Sequence, residues 1–488
     1  MQSEVSLVFS SLSFLHIFLP IILIATLLAH AAGRSAASNL VLLAASLVFY
    51  MWGIGASFIG ILLLVITFNY VLGLWVDLNL KAGRRSRMAV TFSVICNVGV
   101  LGYFKYANFF VAETEGLRVA LGFEPWLWTD VILPIGISFF TFQCMSYVFD
   151  IAAGRARAMK NPLTFALYVA LFPQLIAGPI VRYGLVAEQL RERSITSRDL
   201  SEGATRFVHG LVKKVIIADS AGAIADSIFA LPSGEITTTA AWLGALAYTV
   251  QIYFDFSGYS DMAIGLGRMF GFKFPENFNR PYRSVSITDF WRRWHMTLSN
   301  WFRDYVYIPL GGSRGGPGKT YVNLATIFVL TGVWHGANWT FLVWGIYNGL
   351  LLIIERITGI RNHADGATLS PLNLAARRLI VLLLVLIGWV VFRAPDIGYA
   401  MDFYTAMVVP SGFSLPAIVS LDLRTMDLMV VAIGLVIAIG VPTQVRGPEV
   451  YQGRLGAVAL SGLMFAAFPF ALIKVMAGTY SPFLYFQF

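Results

Sequence analysis

Charge is what this sequence has least of. Only 12% of its 488 residues are Asp, Glu, Lys or Arg, and 57% are hydrophobic. Soluble domains carry roughly 25% charged residues, so a water-soluble core is excluded. Cysteine is nearly absent too. Cys96 and Cys144 both sit in apolar runs, which rules out a disulfide framework or a cysteine-built zinc site and leaves the redox compartment unreadable. Histidine is scarce, six in all, so every imidazole within the apolar chain is conspicuous. Repeats, low-complexity tracts and a soluble domain are missing. Residues 5–33 hold no charged side chain and no basic segment precedes them; they far exceed the ~7–15 apolar residues of a signal peptide, so a retained span is expected. The formal charge of +9 does not point to nucleic acid, because the basic residues sit in short loops between apolar runs, the positive-inside pattern of membrane proteins.

Long charge-free windows are what the chain does have. A helix crossing the ~30 Å hydrocarbon core needs about 20 apolar residues. Such windows recur at 5–33, 35–76, 88–104, 131–149, 161–181, 236–254, 320–354, 428–445 and 455–473, with weaker ones at 207–230 and 379–394. The 35–76 window is long enough for two passes, with a turn near Trp52-Gly53-Ile54-Gly55. The expectation is an all-α polytopic membrane protein of roughly 10–13 tilted and re-entrant helices. Loop charge puts Lys81, Arg84, Arg85 and Arg87 in the cytoplasm, with Arg155, Arg157, Lys160 and the basic 273–293 segment. The acidic 113–130 loop and the aspartates 396, 402, 422 and 427 fall outside, as does the C-terminus. One domain is expected over 1–488: N-terminal helices to 270, a core at 271–360, and C-terminal helices with an aromatic tail from 361.

Two segments depart from plain lipid-facing composition. In SITDFWRRWHMTLSNWFRDYVYIPL (286–310), Ile287, Phe290, Trp291, Trp294, Leu298, Trp301, Phe302 and Tyr305 follow helical spacing. They predict one amphipathic helix with an aromatic face, Ser286 and Asp289 capping its start. His295 falls on the border of that face beside Trp291 and Phe302. The same pattern fits an interfacial helix with snorkelling arginines. In LTGVWHGANWTFLVWG (330–345), His335 lies near the middle of the 320–354 window. One helix of that length would span ~52 Å, too long for the bilayer, and Gly332, Gly336 and Asn338 suggest a break. With Lys319 and Arg356 both cytoplasmic, each arm measures ~22 Å and the apex stays within the membrane. An ionisable residue at that depth is a functional candidate, although a hydrogen-bonded core histidine between Trp334 and Trp339 would look the same. Burial disfavours an imidazolium, leaving a neutral base able to take a proton from a hydroxyl. Asp255 and Asp261 could line an ion path or pair with nearby basic groups. The other histidines, 16, 30, 209 and 363, have no supporting context. The glycine-rich SRGGPGKT (313–320) lacks the first glycine of a phosphate loop.

WRRWHMTLSNWFRDYVYIPLGG (291–312) and GVWHGANWTFLVWG (332–345) resemble the membrane-bound O-acyltransferase family, in particular the branch serving bacterial alginate O-acetylation. The likeness extends in order through LGYFKYANFF (101–110), ILPIGISFFTFQ (132–143), LFPQLIAGPIVR (171–182) and YFDFSGYSDMAIGLG (253–267). It implies a helical bundle around a transmembrane tunnel, with His335 and His295 as the catalytic pair and Trp291, Trp294, Trp334, Asn338 and Asp304 supporting the tunnel. It also implies acetyl-CoA as cytosolic donor, with no permanent cofactor or metal. Acetyl groups would cross the bacterial inner membrane for O-acetylation of an extracytoplasmic polysaccharide such as alginate, with periplasmic acetyltransferase subunits as partners. SPFLYFQF (481–488) is similar to aromatic endings of acyl-export systems, which implies Tyr485 as an acyl relay. A transporter or flippase for a cell-envelope glycan is the alternative. It calls for paired broken segments in two matching halves, and only one break is evident.

Overall fold

In the computed structural model, residues 8–360, 369–440, 455–477 and 483–484 are described, and every regular element among them is helical. Six helices are long and apolar enough to cross a membrane: Phe14–Ala31, Ser35–Gly53, Ala56–Lys81, Arg87–Ala120, Trp339–Ile357 and Pro371–Arg393. Three shorter apolar helices join them, Ile137–Ala152, Thr425–Gly440 and Gly462–Met476. The fold is that of a polytopic all-α membrane protein.

The chain forms two compact units, one of residues 1–207 with 262–275, the other of 208–261 with 276–488. In the first, the 35–76 window folds as two passes. Ser35–Ile54 ends where Gly55 takes φ +101°, a region open to glycine but hostile to side chains, and Ile59–Lys81 follows. Buried Asn69 and Asn97 exchange amide hydrogen bonds at 3.0 and 2.9 Å between neighbouring spans, the polar tie expected where neither helix can reach water. One expected span is longer than its window and another fails. The 88–104 window is the first half of a 34-residue helix, Arg87–Ala120, because its charged second half has mostly helix-favouring residues and no proline, and the helix ends only at Gly122, φ +80°. The 161–181 window is no span. Its helix, Pro162–Ala170, has nine residues, ~14 Å of rise, and ends at the non-helical Leu171 (ψ 110°) ahead of Pro173.

In the second unit the 320–354 window folds as a hairpin, Gly316–His335 and Trp339–Ile357. Its arms of 20 and 19 residues rise ~30 Å each, longer than expected because the first helix starts back at Gly316. The break falls at 336–338. Asn338 caps the second arm, its side chain accepting from the Thr340 N–H at 3.0 Å and donating to the Pro395 carbonyl at 2.7 Å. Gly332 is not part of the break. It lies inside the first helix, where a side chain would collide with the Phe341 carbonyl oxygen, as one on Gly345 would with that of Phe328. Small residues let the two arms approach backbone to backbone.

Candidate active site

Segment 286–310 is not the continuous helix its periodicity predicts. Ser286 caps as expected, its hydroxyl accepting from the Asp289 N–H at 3.0 Å, while the Asp289 carboxylate takes the Val285 N–H at 3.3 Å. The helix then stops after five residues, Ile287–Trp291. A second begins at Met296, with His295 as its N-cap at φ +40°, ψ 55°. The neighbouring strand of loop supplies the reason. Asn279 donates its N–H to the Arg293 carbonyl, and Met296 donates to that of Asn277, each at 2.8 Å. These bonds replace helical ones across 293–296, and they require the reversal at His295. Left-handed backbone costs a β-carbon-bearing residue of order 1–3 kcal/mol and persists only where its surroundings over-determine it.

Asn277 is the over-determining residue, and sequence reasoning missed it. It is wholly buried. Its Oδ1 accepts from the Thr297 N–H at 3.3 Å and the Thr297 hydroxyl at 2.8 Å, while its Nδ2 donates to Ser260 Oγ at 3.0 Å. A backbone N–H can only donate, so that oxygen is an acceptor, and His295 Nδ1, 3.0 Å from it, must carry the proton. The lone pair then belongs to Nε2, as a general base requires. His295 lies between short helices, outside the candidate spans, and burial pushes its imidazole down to about 3. Its ring meets Phe256 edge-on at 4.7 Å and Trp334 at 6.2 Å. Those are its neighbours, rather than the Trp291 and Phe302 expected from helical spacing, because the break re-aims the side chain.

His335 ends the first hairpin arm and is 4% exposed. Trp334 and Trp344 flank it with centroids at 4.9 Å, and Phe392 stands edge-on at 5.1 Å. Trp334 thus contacts both histidines. Trp291 packs on Trp344 at 5.6 Å and on Phe328 at 5.1 Å, one ring removed from His335. Trp294 points elsewhere, into a core of Phe278, Phe290 and Trp389 at 4.9–5.6 Å. Asp304 pairs with Arg303 at 2.6 Å. Tyr485 and His363 lie outside the described residues. Asp255 and Asp261 form ion pairs with Lys214 and Lys213, at 2.7 and 2.5 Å, which answers the alternative left open for them.

A second residue missed in the sequence ties the two histidine segments together. Glu355, buried near the end of the second hairpin arm, accepts the Ile287 N–H on one oxygen and the Thr288 N–H, at 2.8 Å, on the other. An acid 67 positions from the helix it caps leaves no local signal. A cavity of about 550 Å³ opens beside these segments, within the range of small-molecule sites. Arg292, Arg303 and Arg356 stand on its wall with the apolar Trp291 and Phe328. Met296, next to His295, and Thr331, one turn before His335, also line it.

The chain matches the sequence model of the membrane-bound O-acyltransferase family over residues 15–361. It is 44% identical to a protein of Azotobacter vinelandii named probable alginate O-acetylase AlgI, across 99% of this chain and all of the relative. A peptidoglycan O-acetyltransferase of Helicobacter pylori is 35% identical, covering 84% of this chain and 81% of its own. A teichoic acid D-alanyltransferase of Bacillus subtilis is 32% identical over 46% of this chain and 59% of its own. A helical membrane fold, the two histidine motifs and kinship across the whole length converge, and the chain belongs to the membrane-bound O-acyltransferase family as an O-acyltransferase.

Proposed function

We propose that this O-acyltransferase moves acetyl groups from cytosolic acetyl-CoA to an extracytoplasmic polysaccharide such as alginate. It would work in a bacterial inner membrane beside periplasmic acetyltransferase subunits that complete delivery. The names of its relatives motivate acetyl and alginate. One structural observation carries the donor assignment. The cavity joins three guanidinium groups to an aromatic wall and borders residues adjoining both histidines. Guanidinium groups suit the phosphates of a nucleotide-bearing thioester, and the apolar end suits its acyl arm. Loop charge, with the basic 273–293 segment and Arg356 on the cytoplasmic side, supports a cytosolic supply.

In this reading His335 is the base. Its imidazole takes the proton of a hydroxyl whose oxygen attacks the thioester carbonyl carbon. The C–S bond breaks, and the proton passes to the departing thiolate. His295, with its proton fixed on Nδ1, presents the Nε2 lone pair as a second acceptor nitrogen. Tyr485 would supply a phenol that receives the acetyl group before the polysaccharide does. Purified His335→Ala protein should release CoA from acetyl-CoA at least about 100-fold more slowly than wild type, the lower range for loss of a general base. An undiminished rate with acceptor present would overturn the assignment.

A further inference from the structure

Helix Thr238–Met269 carries a group that the proposed chemistry does not use. Asp255, 1% exposed, meets Lys214 Nζ at 2.7 Å through Oδ1, and Lys214 is already paired with Asp219 at 2.7 Å. Lys474 joins the cluster by donating to Ser220 Oγ at 3.0 Å. The Lys214 ammonium thus bridges the Asp219 and Asp255 carboxylates, and Asp255 has a second oxygen to offer. That oxygen, Oδ2, accepts the backbone N–H of Leu484 at 2.8 Å. Phe483, beside it, lies flat on Tyr259 at 4.5 Å and touches Phe256 at 5.9 Å. Both Phe483 and Leu484 are buried. Phe256 in turn presents its ring to His295, and Ser260 on the same helix holds Asn277, which holds His295. One helix face, 255–260, therefore grips the C-terminal segment and braces the histidine together.

We propose that Asp255, clamped by Lys214, is a positioning residue: it seats the 483–484 segment against the His295 side of the site. Charged groups inside a membrane protein are costly and are retained where they do something, and a carboxylate accepting a backbone N–H makes a strong, directional anchor. The anchor carries a functional consequence that rests on the acyl-transfer reading above. The residue following Leu484 in the sequence is Tyr485, so the seat fixes where the chain enters the relay.

The test uses the full chain in detergent with Cys96 and Cys144 replaced by alanine and Leu484→Cys as the reporter. Labelling of that cysteine by a polar maleimide should be slow, and Asp255→Ala should accelerate it about tenfold, as expected for loss of a local anchor. Asp255→Asn keeps an acceptor oxygen for the Leu484 N–H and should label nearer the reference rate. Loss of the Lys214 ion pair should still leave it about threefold faster than the reference, so if the alanine variant fails to fold, an asparagine variant labelling at the reference rate overturns the proposal. Equal labelling in all three proteins overturns the proposal. Labelling needs no substrate, so a wrongly assigned donor or acceptor would leave this result standing. In the acetyl assay, Asp255→Ala should lower kcat while the donor KM stays unchanged. Combined with removal of 483–488 it should cause no further loss, whereas a merely structural role would give additive defects.

Discussion

His295 shows how one backbone angle decides what a side chain can do. At φ +40° it faces Phe256 and Trp334, while a helical φ would have turned it along the aromatic stripe. Asn tolerates the left-handed region better than most residues, so His295→Asn is the variant that removes the imidazole with least backbone penalty. Burial makes a pH prediction possible. The folded imidazole resists protonation down to about 3, whereas an unfolded histidine takes a proton near 6.5. Stability is therefore present above 6.5 and lost as pH falls toward 3, by about 2 kcal/mol at pH 5. The fall in thermal midpoint between pH 7.5 and 5 should be smaller in His295→Asn than in wild type; equal falls would show that His295 does not titrate this way. Histidine and its unusual setting were legible in the sequence. Its conformation was not, since Asn277, the residue that imposes it, lies 18 positions upstream.

Elements met their sequence signals where the signal was local. The Ser286 cap, the turn at Gly55 and the hairpin break beside Gly336 each follow from residues within a few positions. The single helix across 286–310 failed because periodicity records which side chains are buried, not whether the backbone between them is continuous. Those side chains are indeed buried, apart from Tyr305, which is partly so, yet they are divided among separate short helices and the turn that holds Trp294. What holds the first of these is the Glu355 carboxylate on its two leading N–H groups. Glu355→Ala leaves the buried Ile287 N–H without its acceptor, at about 1–3 kcal/mol, and the part-buried Thr288 N–H at less. A loss of about 3 kcal/mol in stability is expected, together with a drop in transfer rate, because the cap connects the His295 segment to the hairpin bearing His335. A thermal midpoint and rate unchanged from wild type would refute that coupling.

At the scale of the molecule, the two histidines, the arginine-walled cavity and the buried Lys214 cluster all fall within 208–261 and 276–488. If the cavity holds the phosphate-bearing donor, Arg292→Ala with Arg356→Ala should raise the acetyl-CoA KM about tenfold while kcat changes less than about twofold, the signature of lost uniform binding. A kcat loss at unchanged KM would place the arginines in the reaction rather than in binding. Sequence alone determined that the chain lives in a membrane, that it has helices long and apolar enough to cross it, and that His335 sits at a break. Those follow from apolar run length and the scarcity of charge, which any local window reveals. Only the tertiary structure decided that His295 leaves its helix, that Asn277 fixes its proton, that Glu355 caps a helix far away in sequence, and that Asp255 grips Leu484. Each of those is a hydrogen bond between residues distant along the chain. Such bonds form because a buried polar group must find a partner, and the fold alone determines which partner is within reach.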